Sequence, residues 1–219
     1  MKIIGLNGSP RKDGNSAKLL AEALRGAEEA GAETESIYLY DKNYKGCRSC
    51  FACKRKSPAY GKGCMMKDDL SPVLEQMLLA DAWVFATPIY LGHMSSSLSA
   101  LLELLEFSHH NYDAHEKMLP KEYPSLLLYS MNGNTAFMDK MGIESSCKYD
   151  VFLMESFFGP ASYLMVNSML QFDDYSKYHT AGVPVEKKTA YSNEHFPLDL
   201  KNAYQRGQKL AQSILSTNI

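Results

Sequence analysis

Four cysteines, Cys47, Cys50, Cys53 and Cys64, are crowded into one short stretch of the chain. Thiolates so placed serve as metal ligands or redox groups. The spacing Cys-x2-Cys-x2-Cys suits three ligands of a cubane iron–sulfur cluster, with Cys64 as the fourth. Zinc competes for the same donors. A metal-free set of thiols, with pKa values lowered by Lys45, Arg48, Lys54 and Arg55 nearby, is the third reading. A phosphatase loop is excluded, because no arginine stands six positions after Cys47, Cys50 or Cys53. A second chemical stretch, Gly8 to Ser16, follows the first apolar run. Gly8 and Gly14 permit tight turns, Ser9, Asn15 and Ser16 offer hydroxyl and amide donors, and Arg11 and Lys12 bring positive charge. If a helix begins near Asn15, its unpaired N–H groups complete an anion cradle.

That loop has no Gly-Lys-Ser/Thr ending, and glycines at 5, 8 and 14 miss the G-x-G-x-x-G spacing. A nucleoside triphosphate or a dinucleotide is therefore disfavoured as its primary ligand. The same residues would also serve simply to turn the chain and cap a helix. Further on, Thr87-Pro88-Ile89-Tyr90-Leu91-Gly92-His93 joins a rigid proline, an aromatic ring and a glycine, a combination able to hold a flat ring. Ser130-Met131-Asn132-Gly133-Asn134 is a small polar turn with hydrogen-bonding groups for the edge of a heterocycle.

The elements that must position these loops are legible in the apolar periodicity. Strand-like runs at 2–7, 33–41, 82–90, 124–130 and 161–167 alternate with helical patterns at 16–32, 68–81, 96–107, 144–159 and 198–216. Asp68 or Asp69 sits favourably at the start of the second helix. Five alternations require parallel strands with right-handed crossovers, hence a doubly wound α/β sandwich with ligands at the carboxyl ends of the strands. No repeat, linker or low-complexity tract interrupts it, and residues 1–219 read as a single domain. Two stretches fall outside the alternation, 107–123 and 168–197. The second, rich in Tyr and His, is expected over a ligand or a partner subunit.

Composition excludes several classes. A formal net charge of −2 gives no footprint for nucleic acid. No apolar run is long enough to span a bilayer, and the N-terminus lacks the pattern of a signal peptide. Clustered cysteines do not resemble a secreted disulfide framework, so a reducing, cytoplasmic compartment is expected. There is no Gly-x-Ser-x-Gly elbow for hydrolysis. His109, His110, Asp113, His115 and Glu116 match no tight metal spacing and are read as a solvated or interfacial loop. The methionines sit mostly in apolar runs as core fillers. Cys147 is either a thiol activated near a helix start or an ordinary small helix residue.

Asn7-Gly8-Ser9-Pro10-Arg11-Lys12-Asp13-Gly14-Asn15-Ser16, the cysteine run with Lys67-Asp68-Asp69, then Ala80-Asp81 and Thr87-Pro88-Ile89-Tyr90, resemble the NADPH-dependent FMN reductase and iron–sulfur flavoprotein superfamily. The resemblance covers roughly the first half of the chain. It implies a flavodoxin-like three-layer sandwich whose five parallel strands take the order 2-1-3-4-5. It further implies FMN, its phosphate held by Ser9, Arg11, Asn15, Ser16 and the Ala17 backbone, with Lys12 adding charge. Pro88, Ile89, Tyr90, Leu91 and Gly92 would line the isoalloxazine, with Met131 and Asn132 nearby. The gap of ten residues before Cys64 is wider than the family's pattern, so metal-free thiols are preferred and the iron–sulfur cluster is kept as the alternative. The expected function is an NAD(P)H-dependent oxidoreductase that passes electrons through FMN to a flavin, quinone, azo compound or protein. No separate acid–base catalytic residue is expected, although Tyr90 and His93 would flank the ring. A homodimer or homotetramer is expected. Alternatives are a non-enzymatic electron carrier, with or without a cluster, and a cysteine-based redox sensor.

Overall fold

A computed structural model describes residues 1–57, 60–113, 118–119 and 121–217. Six strands are formed: β1 (Lys2–Asn7), β2 (Glu33–Tyr38), β3 (Ala82–Tyr90), β4 (His93–Met94), β5 (Ser125–Ser130) and β6 (Ala161–Val166). The helices are α1 (Asn15–Glu29), α2 (Ser71–Leu79), α3 (Ser96–His109), α4 (Thr135–Lys140), α5 (Ile143–Phe157) and α6 (Val185–Thr217). The sheet runs β2-β1-β3-β5-β6 with every one of these neighbours parallel. This is the expected order, with β4 added as a two-residue antiparallel partner of β3. The fold is flavodoxin-like.

Central strands β3 and β5 read as unbroken apolar runs because both faces of a parallel sheet are covered. Alternate side chains divide between two cores. Ile4, Leu6, Trp83, Phe85, Leu127 and Tyr129 meet α2, α3 and α5 on one face. Ile3, Val84, Ala86, Leu126 and Leu128 meet α1 and α6 on the other. Trp83 anchors the first core, stacked on Tyr123 at 4.6 Å with its indole N–H donating to the Met77 carbonyl at 2.8 Å. In the second, α1 and α6 touch backbone to backbone. A Cβ on Gly26 would run into the Tyr204 carbonyl, and one on Gly207 into that of Ala23.

Two expectations are corrected. The last helix starts at Val185 rather than Leu198 and continues through Pro197. A proline removes a single helical N–H, while Phe196, Leu200 and Ala203 pack against the second core on either side of it. A short helix, α4, follows the Ser130–Asn134 turn, and Asn134 caps it by accepting from the Phe137 N–H at 2.9 Å. No described helix is long and apolar enough to cross a membrane.

Candidate functional site

β1 ends at Asn7, and its side chain turns the chain: Oδ1 accepts from the Ser9 N–H at 2.8 Å, then Ser9 Oγ accepts from the Arg11 N–H at 3.1 Å. Gly8 is required, since a Cβ there would stand 2.9 Å from both Leu98 Cβ and Ser95 Oγ at the start of α3. The loop delivers the chain to α1 through Gly14, with no side chain capping the first turn and no acidic residue within it. The leading N–H groups of α1 thus have no side-chain acceptor, the condition under which a helix start takes an anion. Ser16 Oγ pairs with Ser130 Oγ at 2.8 Å and ties this cradle to the end of β5. Asn7 Nδ2 beneath it is buried without an acceptor.

The second loop is a hairpin rather than an open turn. Tyr90 faces His93, and Leu91 and Gly92 between them have φ of 51° and 92°. Two successive positive φ values match the twist of a tight hairpin, at a cost for Leu91 of about 1 kcal/mol. Leu91 projects fully into solvent. Between this hairpin, the α1 cradle and the Ser130–Asn132 turn opens a cleft of about 860 Å³. It lies where strand order reverses between β1 and β3, at the carboxyl ends of the strands.

Ten anticipated residues line this cleft together: Ser9, Arg11, Asn15, Ser16, Pro88, Ile89, Tyr90, Leu91, Met131 and Asn132. Three do not. Lys12 turns away to an ion pair with Asp41 at 2.6 Å, over the Tyr38 ring. Ala17 is buried under the first turn, leaving only its backbone to contribute. Gly92 is at the hairpin tip. The far wall comes from the long segment after β6 and from α6, through Met169, Phe172, Tyr178, Ser192 and Phe196. Arg11 donates to the Gln171 carbonyl, and Asn15 Nδ2 to that of Leu170 at 3.0 Å. The length and aromatic content of 168–197 signalled a cover. Its first helical half was hidden because Pro197 reads as a helix start.

The cysteines gather elsewhere. Cys47, Cys50, Cys53 and Cys64 surround one apolar cavity with Phe51 and Leu104, and this cavity shares no residue with the cleft's lining. Ser49 and Phe51 adopt left-handed φ of 53° and 57° on either side of Cys50, a backbone form that turns N–H groups inward around anions and iron–sulfur clusters. Amides of Ala52 and Met66 stabilise the thiolates of Cys50 and Cys64. Cys50, exposed, has a lowered pKa, while burial raises those of Cys53 and Cys64. α3 clamps this loop at three points: Tyr44 Oη on Ser97 at 2.7 Å, Glu103 accepting from the Cys47 N–H at 3.2 Å, and Lys54 Nζ on the Ser108 and His110 carbonyls.

Donor chemistry fits a cluster. The space between the thiols is about 10 Å³, that of a single water, so the loop must part to admit one. No three His, Cys, Asp or Glu among the described residues converge as a single ion needs. A cluster spreads its ligands over several irons, so this geometry weighs more against zinc.

The histidine patch divides. His109 is not in a loop but buried at the end of α3, its Nδ1–H donating to the Leu105 carbonyl at 2.7 Å. His110 packs edge-on to Tyr112 and Phe157. His115 and Glu116 lie outside the described residues. Cys147 is the ordinary helix residue of the two readings, its thiol pushed up to about 12 by burial. On α3, burial with Asp150 and Glu103 nearby raises Glu106 to about 7.

Comparison with known proteins agrees with this geometry. Solved structures of similar fold include an NAD(P)H:quinone oxidoreductase from Methanothermobacter marburgensis (TM-score 0.67, 17% identity, 96% of each chain). Another is an FMN-dependent NADH-azoreductase from Bacillus anthracis in complex with FMN (TM-score 0.60, 16% identity, 98% of this chain and 99% of that one). Among curated relatives are iron–sulfur flavoproteins of Methanocaldococcus jannaschii, 41% identical over 103 residues, and of Methanosarcina thermophila, 35% identical over 103. Each match covers 47% of this chain and 51% of the relative, so the chain spans about half the length of the curated relatives it matches. The family model for NADPH-dependent FMN reductase matches residues 1–133, more than half of the 219. The chain belongs to the NADPH-dependent FMN reductase family, a flavoprotein family whose cofactor is FMN.

Proposed function

We propose that the protein is an FMN-dependent NAD(P)H oxidoreductase whose flavin occupies the cleft between the α1 cradle, the β3–β4 hairpin and the β5 turn. The observation that carries this reading is the uncapped start of α1, with no acidic residue in its first turn, opening into a cleft of about 860 Å³ whose lining joins polar groups to the rings and apolar side chains of Pro88, Ile89, Tyr90 and Phe172. First-turn N–H groups, Ser9 and Arg11 hold the phosphate. Pro88, Ile89 and Tyr90 support the ring, and Met131 and Asn132 meet its polar edge. Bound FMN supplies the redox chemistry, taking hydride from a nicotinamide nucleotide and returning electrons to a small-molecule or protein acceptor. The chain's own work is to bind and orient the ring and to limit water. Tyr90, whose phenol pKa is raised by partial burial, is given no acid–base step in that scheme.

We read residues 1–219 as one domain, working in the cytoplasm, where free cysteines persist. Exposed Tyr90 and Leu91 at the mouth of the cleft support a homodimer or homotetramer. A second reading, a flavin and iron–sulfur electron-transfer protein, is favoured by the four cysteines on one cavity. An anaerobic visible spectrum with NADPH and NADH titrations, and iron and sulfide assays on the same sample, separates the two. Flavin bands that bleach with a nicotinamide nucleotide support the oxidoreductase. About four irons per chain, with flavin that is not bleached, support the carrier. A colourless protein that fails to take up FMN overturns both.

A further inference from the structure

A lysine on α6 reaches the backbone of one of the turns that line the cleft. On α6, residues 188, 192 and 196 follow at intervals of four and share one face. Ser192 and Phe196 line the cleft. Lys188 is the next member of that row, and its Nζ donates to the Asn132 carbonyl at 2.6 Å, on a turn that also lines the cleft. An ammonium carries three donors, and this bond uses one. Among the described residues no carboxylate pairs with Lys188: neither Glu186 on its own helix nor Asp173 on the segment after β6 forms a bond with it. A half-buried cation without a counter-ion is costly unless an anion arrives.

The phosphate end of the cleft is already defined by α1, on the other side of the Ser16–Ser130 contact. Lys188 stands instead by the β5 turn, where the heterocycle edge is placed in the proposed function, on which this inference rests. We propose that Lys188 supplies the positive charge that meets the pyrimidine edge of FMN when that edge becomes negative on reduction. Hydride transfer from a nicotinamide nucleotide brings two electrons and one proton to flavin N5 and leaves the oxidised nucleotide. The extra electron pair places a negative charge over N1 and the C2 carbonyl. Lys188 transfers no proton and forms no covalent bond. It favours the reduced over the oxidised ring, and so sets the potential.

The test is a spectroelectrochemical titration of bound FMN in the unsubstituted protein, in Lys188→Gln, which retains a donor for Asn132 without the charge, and in Lys188→Arg, which retains the charge. Dissociation constants for oxidised FMN are measured alongside. Loss of the charge is expected to weaken reduced FMN about tenfold relative to oxidised FMN, a fall in midpoint potential of about 30 mV for a two-electron couple. Lys188→Arg should recover most of that shift. A potential unchanged in Lys188→Gln, with FMN bound, overturns the role of Lys188 and leaves the flavin site standing. A variant that alters only the preference between NADPH and NADH also overturns it, assigning the cation to the nucleotide's phosphate. If the unsubstituted protein binds no FMN, the site and this inference fall together.

Discussion

Arg11 and Lys12 are adjacent cations in one loop, yet their surroundings separate them. Arg11 lines the cleft beside the α1 cradle, whereas Lys12 is committed to Asp41. Arg11→Ala should therefore weaken FMN binding roughly tenfold, the value of a hydrogen bond to a charged group, while Lys12→Ala stays within about twofold. Fluorescence titration with FMN measures both, and equal losses would refute the assignment. Glu106 makes a second residue-scale case. Its carboxyl is lifted from 4.5 to about 7 by burial, with Asp150 and Glu103 adding repulsion. A carboxyl with a raised folded pKa holds its proton better in the folded state. Its contribution is intact below about pH 4.5 and is lost as pH rises to about 7. Glu106→Gln, which mimics the protonated form, should gain on the order of 2 kcal/mol at pH 8 and nothing near pH 4, less than the shift alone implies because the side chain keeps some solvent. Urea melts at both pH values would show the difference, and an equal effect at both would remove the explanation.

At the scale of elements, α6 closes the molecule. Its second half lies against α1 through Gly207 and Gly26, and its first half carries Lys188, Ser192 and Phe196 to the cleft. Gly207→Ala must push the Ala23 carbonyl away, because the obstacle is backbone and cannot rotate aside. A loss of about 3 kcal/mol is expected, near the upper end for overpacking, or a fall of roughly 6–12 °C in Tm. Calorimetry reads this directly, and an unchanged Tm would mean that the two helices are not held so closely. α3 has a comparable double duty. Its first turn is capped by Ser95 beside Gly8 of the phosphate loop, and its later turns clamp the cysteine loop through Glu103 and Ser108.

For the whole molecule, the cleft is a junction of four separate stretches of chain, so its occupant should stabilise the native state as a unit. FMN at a hundred times its dissociation constant adds about 2.7 kcal/mol by mass action. That corresponds to roughly 5–11 °C in Tm for a chain of this size. Riboflavin, which lacks the phosphate, should give a much smaller shift at equal concentration, because it leaves the N–H groups of α1 without an anion. Equal shifts from the two ligands would place the phosphate outside the cradle. Differential scanning fluorimetry suffices for both.

The alternation of strand and helix, the phosphate loop from Ser9 to Ser16 and the two later loops were legible in the sequence because each depends on local rules: apolar period, turn chemistry and helix-start donors. The strand order came instead from the resemblance to a known family, because alternation alone fits more than one doubly wound order. Local rules carry nothing about which donor a folded neighbour occupies. Lys12 was lost to Asp41, 29 residues away, and Arg11 and Asn15 are met by carbonyls of a segment that arrives only after β6. Pro197 showed where local rules mislead, because packing on both sides of one missing N–H holds α6 helical through it. The convergence of four cysteines on one cavity, the burial of His109 and the arrival of Lys188 at Asn132 are likewise tertiary outcomes. Spacing along a chain sets what a residue can do, but burial and the partners brought by distant segments decide which of those capacities is left free.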